Sequence, residues 1–287
     1  MAAGKLQIYV LNVGQGNSVL IIAPDGGTIL VDCYDGAKTA RLLNNLGLDR
    51  IDLLATTHPH YDHIKGVPHI LEKFHVTEWW DSGAPTSLPT YREILELCMK
   101  RHIRPNMIKG LNFEKIFGEM TLKVISPSLN HRRNLDRDVK ANNNRLPSKW
   151  SYNDYSFVLS VRYDNFNMIL GADAEISGWA SVINELPEEL KCQVLLMPHH
   201  GSVRGGSYQL LEKMSPFHLI LSYGASNHYS HPDQLTLNIL DTYKDKHKEN
   251  AHVWKTPEHG TILVESNGSS RPRVESFKET VFSDVPI

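Results

Sequence analysis

Thr57-His58-Pro59-His60-Tyr61-Asp62-His63 places three imidazoles and a carboxylate within six consecutive residues, directly after the apolar run Ile51-Asp52-Leu53-Leu54-Ala55. A strand that ends in so dense a set of side-chain donors reads as a metal-binding loop, and such a loop points to a hydrolase. Imidazole and carboxylate suit Zn²⁺, and also Mn²⁺ or Fe, while the stretch contains no thiolate. In an extended or tightly turned loop, His58 and His60 fall on one side and Asp62 and His63 swing to a second position. One short loop can therefore feed two neighbouring ions. The competing reading is a merely solvated polar loop; chance seldom spaces four donors this way.

Two further clusters follow the same plan. The buried run Gln193 to Met197 stops at Pro198-His199-His200-Gly201-Ser202, and the run Phe217 to Leu221 leads into Ser222-Tyr223-Gly224-Ala225-Ser226-Asn227-His228-Tyr229-Ser230-His231-Pro232. Seven of the 15 histidines thus sit in three short loops at strand ends, where open α/β sheets present functional groups. Core histidines would instead be scattered through the elements, as His69, His75, His102, His218, His247 and His252 are. Asp173, in Gly171-Ala172-Asp173-Ala174-Glu175, leaves another buried strand beside small residues. Alone that is a weak signal, because Gly-x-Asp turns are common.

Around these loops, strand and helix patterns alternate. Lys5 to Asn12, Ser18 to Ala23 and Thr28 to Asp32 read as an antiparallel opening meander, with turns at Gly14-Gln15-Gly16-Asn17 and Pro24-Asp25-Gly26-Gly27. Helices are expected over Ala37 to Leu46, Ile64 to Phe74 and Leu88 to His102, with strands over Leu53 to Thr57 and Thr121 to Ser126. Ser156 to Tyr163 and Asn167 to Leu170 form a hairpin around Asp164-Asn165.

At 287 residues, 41% hydrophobic and 22% charged, the chain suits one globular unit over 1–287, with a flexible tail at 268–287. No apolar stretch nears the roughly 18 residues that span a bilayer, and Met1-Ala2-Ala3-Gly4-Lys5 lacks a signal-peptide core, so the expectation is a soluble, cytoplasmic protein with no membrane. Three cysteines far apart, Cys33, Cys98 and Cys192, make a disulfide framework improbable; buried thiols are expected. A net charge of −2 argues against a coat of nucleic acid over the whole surface, yet not against a local basic groove. One candidate groove is the segment 130–150, where Arg132, Arg133, Arg137, Lys140, Arg145 and Lys149 face only Asp136 and Asp138. It reads as a mobile basic insertion loop, either functional or simply solvated. Aromatic content of 8% offers no obvious stacking platform; Trp79-Trp80 reads as core, and Trp150 and Tyr152 as candidates to stack on bases.

Asp32 after a meander, then His58-x-His60-x-Asp62-His63, then Gly171-x-Asp173, resembles the metallo-β-lactamase superfamily. The resemblance implies an α/β fold, the αββα four-layer sandwich. Leu11-Asn12-Val13-Gly14-Gln15-Gly16-Asn17-Ser18, Pro198-His199-His200-Gly201-Ser202, Asn227-x-Tyr229-x-His231-Pro232 and Trp254-Lys255-Thr256 before His259-Gly260-Thr261 are similar to the hydrolase domain of the ComEC competence family. Bacterial phosphorylcholine esterase is similar in the same loops. Many superfamily members carry a further histidine in a His-Thr-x-Gly context, where this chain has Tyr152-Asn153-Asp154-Tyr155-Ser156. That departure argues against lactam hydrolysis and leaves one metal site with fewer protein ligands.

The resemblance implies a site of two divalent ions, Zn or Mn: His58 and His60 on one, Asp62, His63 and His200 on the other, Asp173 between them. His199 is the alternative to His200, with His200 ranked first by resemblance to the esterase. Asp62, Asp32 and His231 make the expected catalytic set, Asp32 orienting a ligand and His231 giving a proton to the leaving oxygen. Ser202, Arg204, Asn227, Tyr229 and His231 form the expected substrate side. The expected activity is a metal-dependent phosphodiesterase or nuclease that cleaves DNA or RNA with a metal-activated hydroxide. The alternatives are a small-molecule phosphodiesterase, of phosphorylcholine-esterase or cyclic-nucleotide type, and a regulatory subunit with structural metals. Nucleic acid is the expected substrate, and a protein partner in a multi-component system a further expectation.

Overall fold

The computed structural model describes residues 4–111 and 113–278. Among them, two mixed sheets carry the chain. The first runs in the order Arg273–Phe277, Thr261–Ser266, Leu6–Val10, Ser18–Ile22, Thr28–Cys33, Leu53–Thr56, Trp79–Asp81 and Pro105–Met107. The second runs His252–Lys255, His218–Leu221, Val194–Leu196, Phe166–Leu170, Val158–Tyr163, Met120–Ser126 and Glu114–Phe117. The opening meander is antiparallel, and Thr28–Cys33 then pairs in parallel with Leu53–Thr56.

Side-chain alternation decides which layer each residue joins. Leu6, Ile8 and Val10 pack between the sheets with Ile29, Val31, Leu122, Val124, Leu159, Val161 and Leu170. Their neighbours Tyr9, Leu11, Leu20 and Leu30 face outward against Leu42, Leu43, Val67, Ile70, Ile94 and Cys98, which belong to the helices Gly36–Asn45, Val67–Lys73 and Pro89–Lys100. On the far side Ile169, Leu195 and Leu219 pack against Trp179, Leu211, Leu240 and Tyr243, from the helices Ile176–Glu185, Tyr208–Met214 and Gln234–His247. Both faces of both sheets are covered, which explains the near-continuous apolar strands. The result is the four-layer αββα sandwich.

Three expectations are corrected. The helix expected over Ile64 to Phe74 is split into Tyr61–Ile64 and Val67–Lys73 at Gly66, where a Cβ would lie 2.3 Å from the backbone nitrogen of Gly36 and 2.9 Å from Cys33 Sγ. The segment 130–150 is not a mobile loop throughout: Leu129–Ala141 is an α-helix, capped by Ser128 Oγ accepting from the His131 amide. Leu135 and Val139, one turn apart, bury against Ala84 and Tyr155, a helical signal that the charges mask. In the expected tail, Arg273–Phe277 is a strand at the edge of the first sheet; its stretch 279–287 lies outside the described residues. No helix among the described residues is long and apolar enough to cross a membrane. Cys33, Cys98 and Cys192 are free and buried, and burial pushes the Cys33 thiol up to about 12.

Candidate metal centre

Three strand ends converge on one cavity floor. The strand Leu53–Thr56 hands over to Thr57 and His58, and the short turn Tyr61–Ile64 carries Asp62 and His63. Gly16 lets this turn lie close: a Cβ there would sit 2.6 Å from the Asp62 carbonyl oxygen and 2.4 Å from the Tyr34 ring. Asp173 follows the strand Phe166–Leu170, and His199 and His200 follow Val194–Leu196. Both histidines hold left-handed backbone angles, φ 51° and 53°, a strain that persists only where surrounding contacts impose it.

The side chains form two donor sets that share Asp173: His58, His60 and Asp173, and Asp62, His63, Asp173 and His200, with the donor atoms of each set within 4.8 Å of one another. Asp173 Oδ2 lies 3.6 Å from His58 Nε2, and Asp173 Oδ1 lies 3.1 Å from His63 Nε2 and 3.8 Å from His200 Nε2. Asp62 Oδ2 is 3.3 Å from His200 Nε2. His58 Nε2 and His60 Nδ1 are 2.9 Å apart. His63 Nε2, His200 Nε2 and Asp173 Oδ1 are buried and make no hydrogen bond. Buried polar atoms are rarely left so. Separations of about 3–4 Å between donors that aim past one another fit a cation held at roughly 2.1 Å from each.

A second layer fixes the histidines. Asp32 Oδ2 is 2.7 Å from His63 Nδ1, which turns the other ring nitrogen toward Asp173. Asp32 also accepts from the Thr57 amide at 2.8 Å, the Thr57 hydroxyl at 2.9 Å and Asn17 Nδ2 at 3.0 Å. Thr57 Oγ1 is in turn 3.1 Å from His58 Nδ1, so one hydroxyl ties both donor sets together. The Ser222 carbonyl, 2.8 Å from His200 Nδ1, orients that ring.

The electrostatics call for positive charge. Burial opposes charge on His63, but Asp173 and Asp32 outweigh it and hold its pKa well above the ordinary imidazole value. His200 is raised in the same way, against burial, by Asp173 and Asp62. Burial would lift Asp173 and Asp62, yet His63 and His200 keep both below the usual carboxylate range. His58 is lowered well below its ordinary value by burial and by His63, and His60 is lowered by burial. Neutral His58 and His60 with ionised Asp173 are the protonation states a metal requires.

Above the floor opens a cavity of about 710 Å³. Asp62, His60, Asn227, Tyr229 and His231 line it. Asn227 locks its own loop, donating to the Gly224 and His231 carbonyls and accepting from the His231 amide. Burial and the nearby His199 lower the His231 pKa. His199 stands outside both donor sets, 3.8 Å from Asp173 Oδ2, with Glu175 Oε1 3.5 Å from its Nδ1 and Asn153 Nδ2 3.5 Å from its Nε2. Asn153 thus sits beside the cluster at the departure from the superfamily pattern.

Ser202 and Arg204, also expected on the substrate side, do not line this cavity. Ser202 is buried beneath Leu210 and Ile239 in a separate small space, its Oγ accepting from the Arg204 amide, and Arg204 is exposed away from the cavity lining. The turn after His200 folds toward the outer helices, which the sequence does not reveal. Of the residues it left unassigned, Gln15, Tyr34 and Tyr61 line the cavity; the Gly14-Gln15-Gly16 motif carried that signal for Gln15.

Residues 11–100 match the family model of the metallo-beta-lactamase superfamily. The chain is 26% identical over 277 residues to ComE operon protein 3 of Bacillus subtilis (strain 168), a match that covers 89% of this chain and 32% of that protein. The chain therefore spans about a third of that relative's length. A ribonuclease Z of Alkaliphilus oremlandii (strain OhILAs) is 44% identical over 54 residues, 19% of this chain and 17% of that protein. The metallo-beta-lactamase fold protein YhfI from Bacillus subtilis superposes with a TM-score of 0.57 at 12% identity, covering 92% of this chain and 100% of that one, and shows the shared fold.

Proposed function

We propose that this chain is a dinuclear metal-dependent phosphodiesterase whose substrate is DNA or RNA. The observation that carries the reading is the pair of donor sets meeting at Asp173 on a cavity floor. His58 and His60 would hold one ion, Asp62, His63 and His200 the other, and Asp173 both. Two such ions, Zn or Mn, would lower the pKa of water and neutralise charge on a phosphodiester. The chain's own residues do the rest. Asp32 and Thr57 hold the rings of His63 and His58 in register. Asn227 and Tyr229 form the substrate side with His231, which we assign to the leaving oxygen; the phosphate it faces would offset the depression of its pKa. Similarity to ribonuclease Z over 54 residues supports a nucleic-acid substrate.

The test is cleavage of single- and double-stranded DNA, RNA and bis(p-nitrophenyl) phosphate with Mn²⁺, Zn²⁺ or EDTA, beside His60→Ala. Polymer cleavage that requires both metal and His60 is the expected result. Hydrolysis of the small ester alone would move the assignment to a small-molecule phosphodiesterase. A protein that EDTA destabilises without any turnover to lose would have structural metals.

A further inference from the structure

Among the described residues, the large exposed apolar side chains include just two aromatics, Tyr61 at 55% and Tyr229 at 65% exposure. Both line the cavity above the donor sets. Scattered single apolar residues on a surface need no explanation, but two rings on the rim of one recess call for one.

We propose that these rings are a base-stacking subsite that takes unpaired nucleobases of single-stranded nucleic acid while an adjoining phosphodiester reaches the floor. The proposal rests on the phosphodiesterase reading above and names the form of its substrate. Each ring is held in advance. Tyr61 meets the Tyr34 ring edge-on, centroids 6.5 Å apart at 79°, and Lys65 Nζ lies 4.7 Å from the Tyr34 centroid and 5.7 Å from that of Tyr61. Tyr229 lies nearly parallel to His231, 14° between planes and 6.1 Å between centroids, in the loop that Asn227 locks. Rings supported on one side and open on the other lose little freedom when a base stacks on them. Every base has such a face, so the recognition tolerates sequence. Lys65, exposed beside Tyr61, supplies positive charge for the backbone.

The depth of the floor selects the unpaired form. Asp173, His58, His63 and His200 are 5% exposed or less, below a rim carrying these rings. A duplex keeps its phosphates on a rigid outer surface and its bases paired inside. An unpaired strand can turn a base onto the rim and bend its backbone inward.

The experiment compares a short oligonucleotide with its abasic counterpart, equal in length and phosphates, as DNA and as RNA. Kd and KM are measured for wild type, Tyr61→Ala, Tyr229→Ala and Tyr61→Phe, with thermal melting to show that each variant is folded. Wild type is expected to favour the base-bearing strand by about tenfold. Each alanine variant should pull that ratio toward one, Tyr61→Phe should keep it, and the duplex should be cleaved at least tenfold more slowly. A strand of either sugar satisfies the proposal. A wild-type ratio near one, a ratio indifferent to both alanines, or faster duplex cleavage would overturn it while leaving the phosphodiesterase reading intact; preference for a choline phosphodiester would overturn it together with the nucleic-acid substrate, leaving the phosphodiester chemistry. Failure to hydrolyse both oligonucleotides and bis(p-nitrophenyl) phosphate would instead sink that underlying reading.

Discussion

The turn at residues 57–63 and the segment 129–150, helical over Leu129–Ala141, are both crowded with polar side chains, yet they use them in opposite ways. In the turn, His58, Asp62 and His63 point to common centres with Asp173 and His200, and Asp32, Thr57 and Asn17 hold them there. In the segment, Arg133, Arg137, Lys140, Arg145 and Lys149 spread into solvent. Arg132 turns inward instead: its Nη1 donates to the Ser82 and Ile108 carbonyls at 2.7 Å each, its Nε to Asp136, and its guanidinium lies over the Tyr155 ring. The comparison teaches that convergence, backed by an orienting layer, makes a site, whereas charge density alone can cover a helix.

Asp173→Ala should break the turn's side of the comparison most severely. It removes the group common to both donor sets, so metal content measured by elemental analysis should collapse, and kcat on any phosphodiester should fall by about a thousandfold or more. Stoichiometric metal at full activity would end its assignment to both ions. Asp32→Asn should act first through His63 and then through Thr57 and Asn17, which share the same carboxylate. The amide keeps the shape and loses the charge that orients the ring, so metal affinity by competition with a chelator should drop about 10- to 100-fold. An unchanged affinity would mean that the orienting layer contributes only to folding.

The helical segment gives the contrasting result, in stability. Arg132→Ala leaves two buried carbonyls without their donor and should cost about 3 kcal/mol in urea denaturation. Arg133→Ala, on the exposed face of the same helix, should stay within about 0.5 kcal/mol. Equal losses would show that both arginines are structural.

The same contrast explains what could be read in the sequence. The strands were legible as apolar runs bounded by Gly- and Pro-containing turns, whereas the four layers came only from the resemblance of the motifs to a known family, because a run such as Leu6 to Leu11 is apolar on both faces and does not show which side each residue joins. The donor loop was legible because its residues are consecutive. The helix at 129–141 was hidden, since Leu135 and Val139 give it only a narrow apolar stripe among charges, and the interior role of Arg132 depends on Ser82 and Ile108, far away in sequence. Nor could the direction of the turn after His200 be foreseen: Ser202 and Arg204 stand next to a cluster member in sequence, yet Ser202 is buried among residues of the outer helices and Arg204 is exposed. Tyr61 lay inside the motif itself, where its histidine neighbours drew the attention; its exposure is a property of the folded rim.

A second histidine environment sharpens the comparison with the smallest effect. The carboxylates around His63 raise its pKa against burial, whereas His218 faces another imidazole: its ring stacks on His252 at 5.1 Å, and its Nδ1 accepts from Trp254 Nε1 at 3.1 Å. Burial, then His252, lowers its pKa to about 4. Glu249 and Arg271 border the same hollow. With the folded value below the unfolded one of about 6.5, the unfolded chain binds the proton first as pH falls. The stability due to neutral His218 is therefore complete above pH 6.5 and is lost progressively down to about pH 4. After allowance for its contact with water, the loss should be about 1 kcal/mol. His218→Gln keeps an acceptor for Trp254 without an ionisable ring, so its urea midpoint should fall less between pH 7 and pH 5 than that of wild type. Taking the difference between the two proteins cancels the titration of the distant metal-site histidines. Parallel midpoint curves would show that His218 ionises as freely in the folded chain as in the unfolded one, and that the stacked pair relaxes to admit the charge.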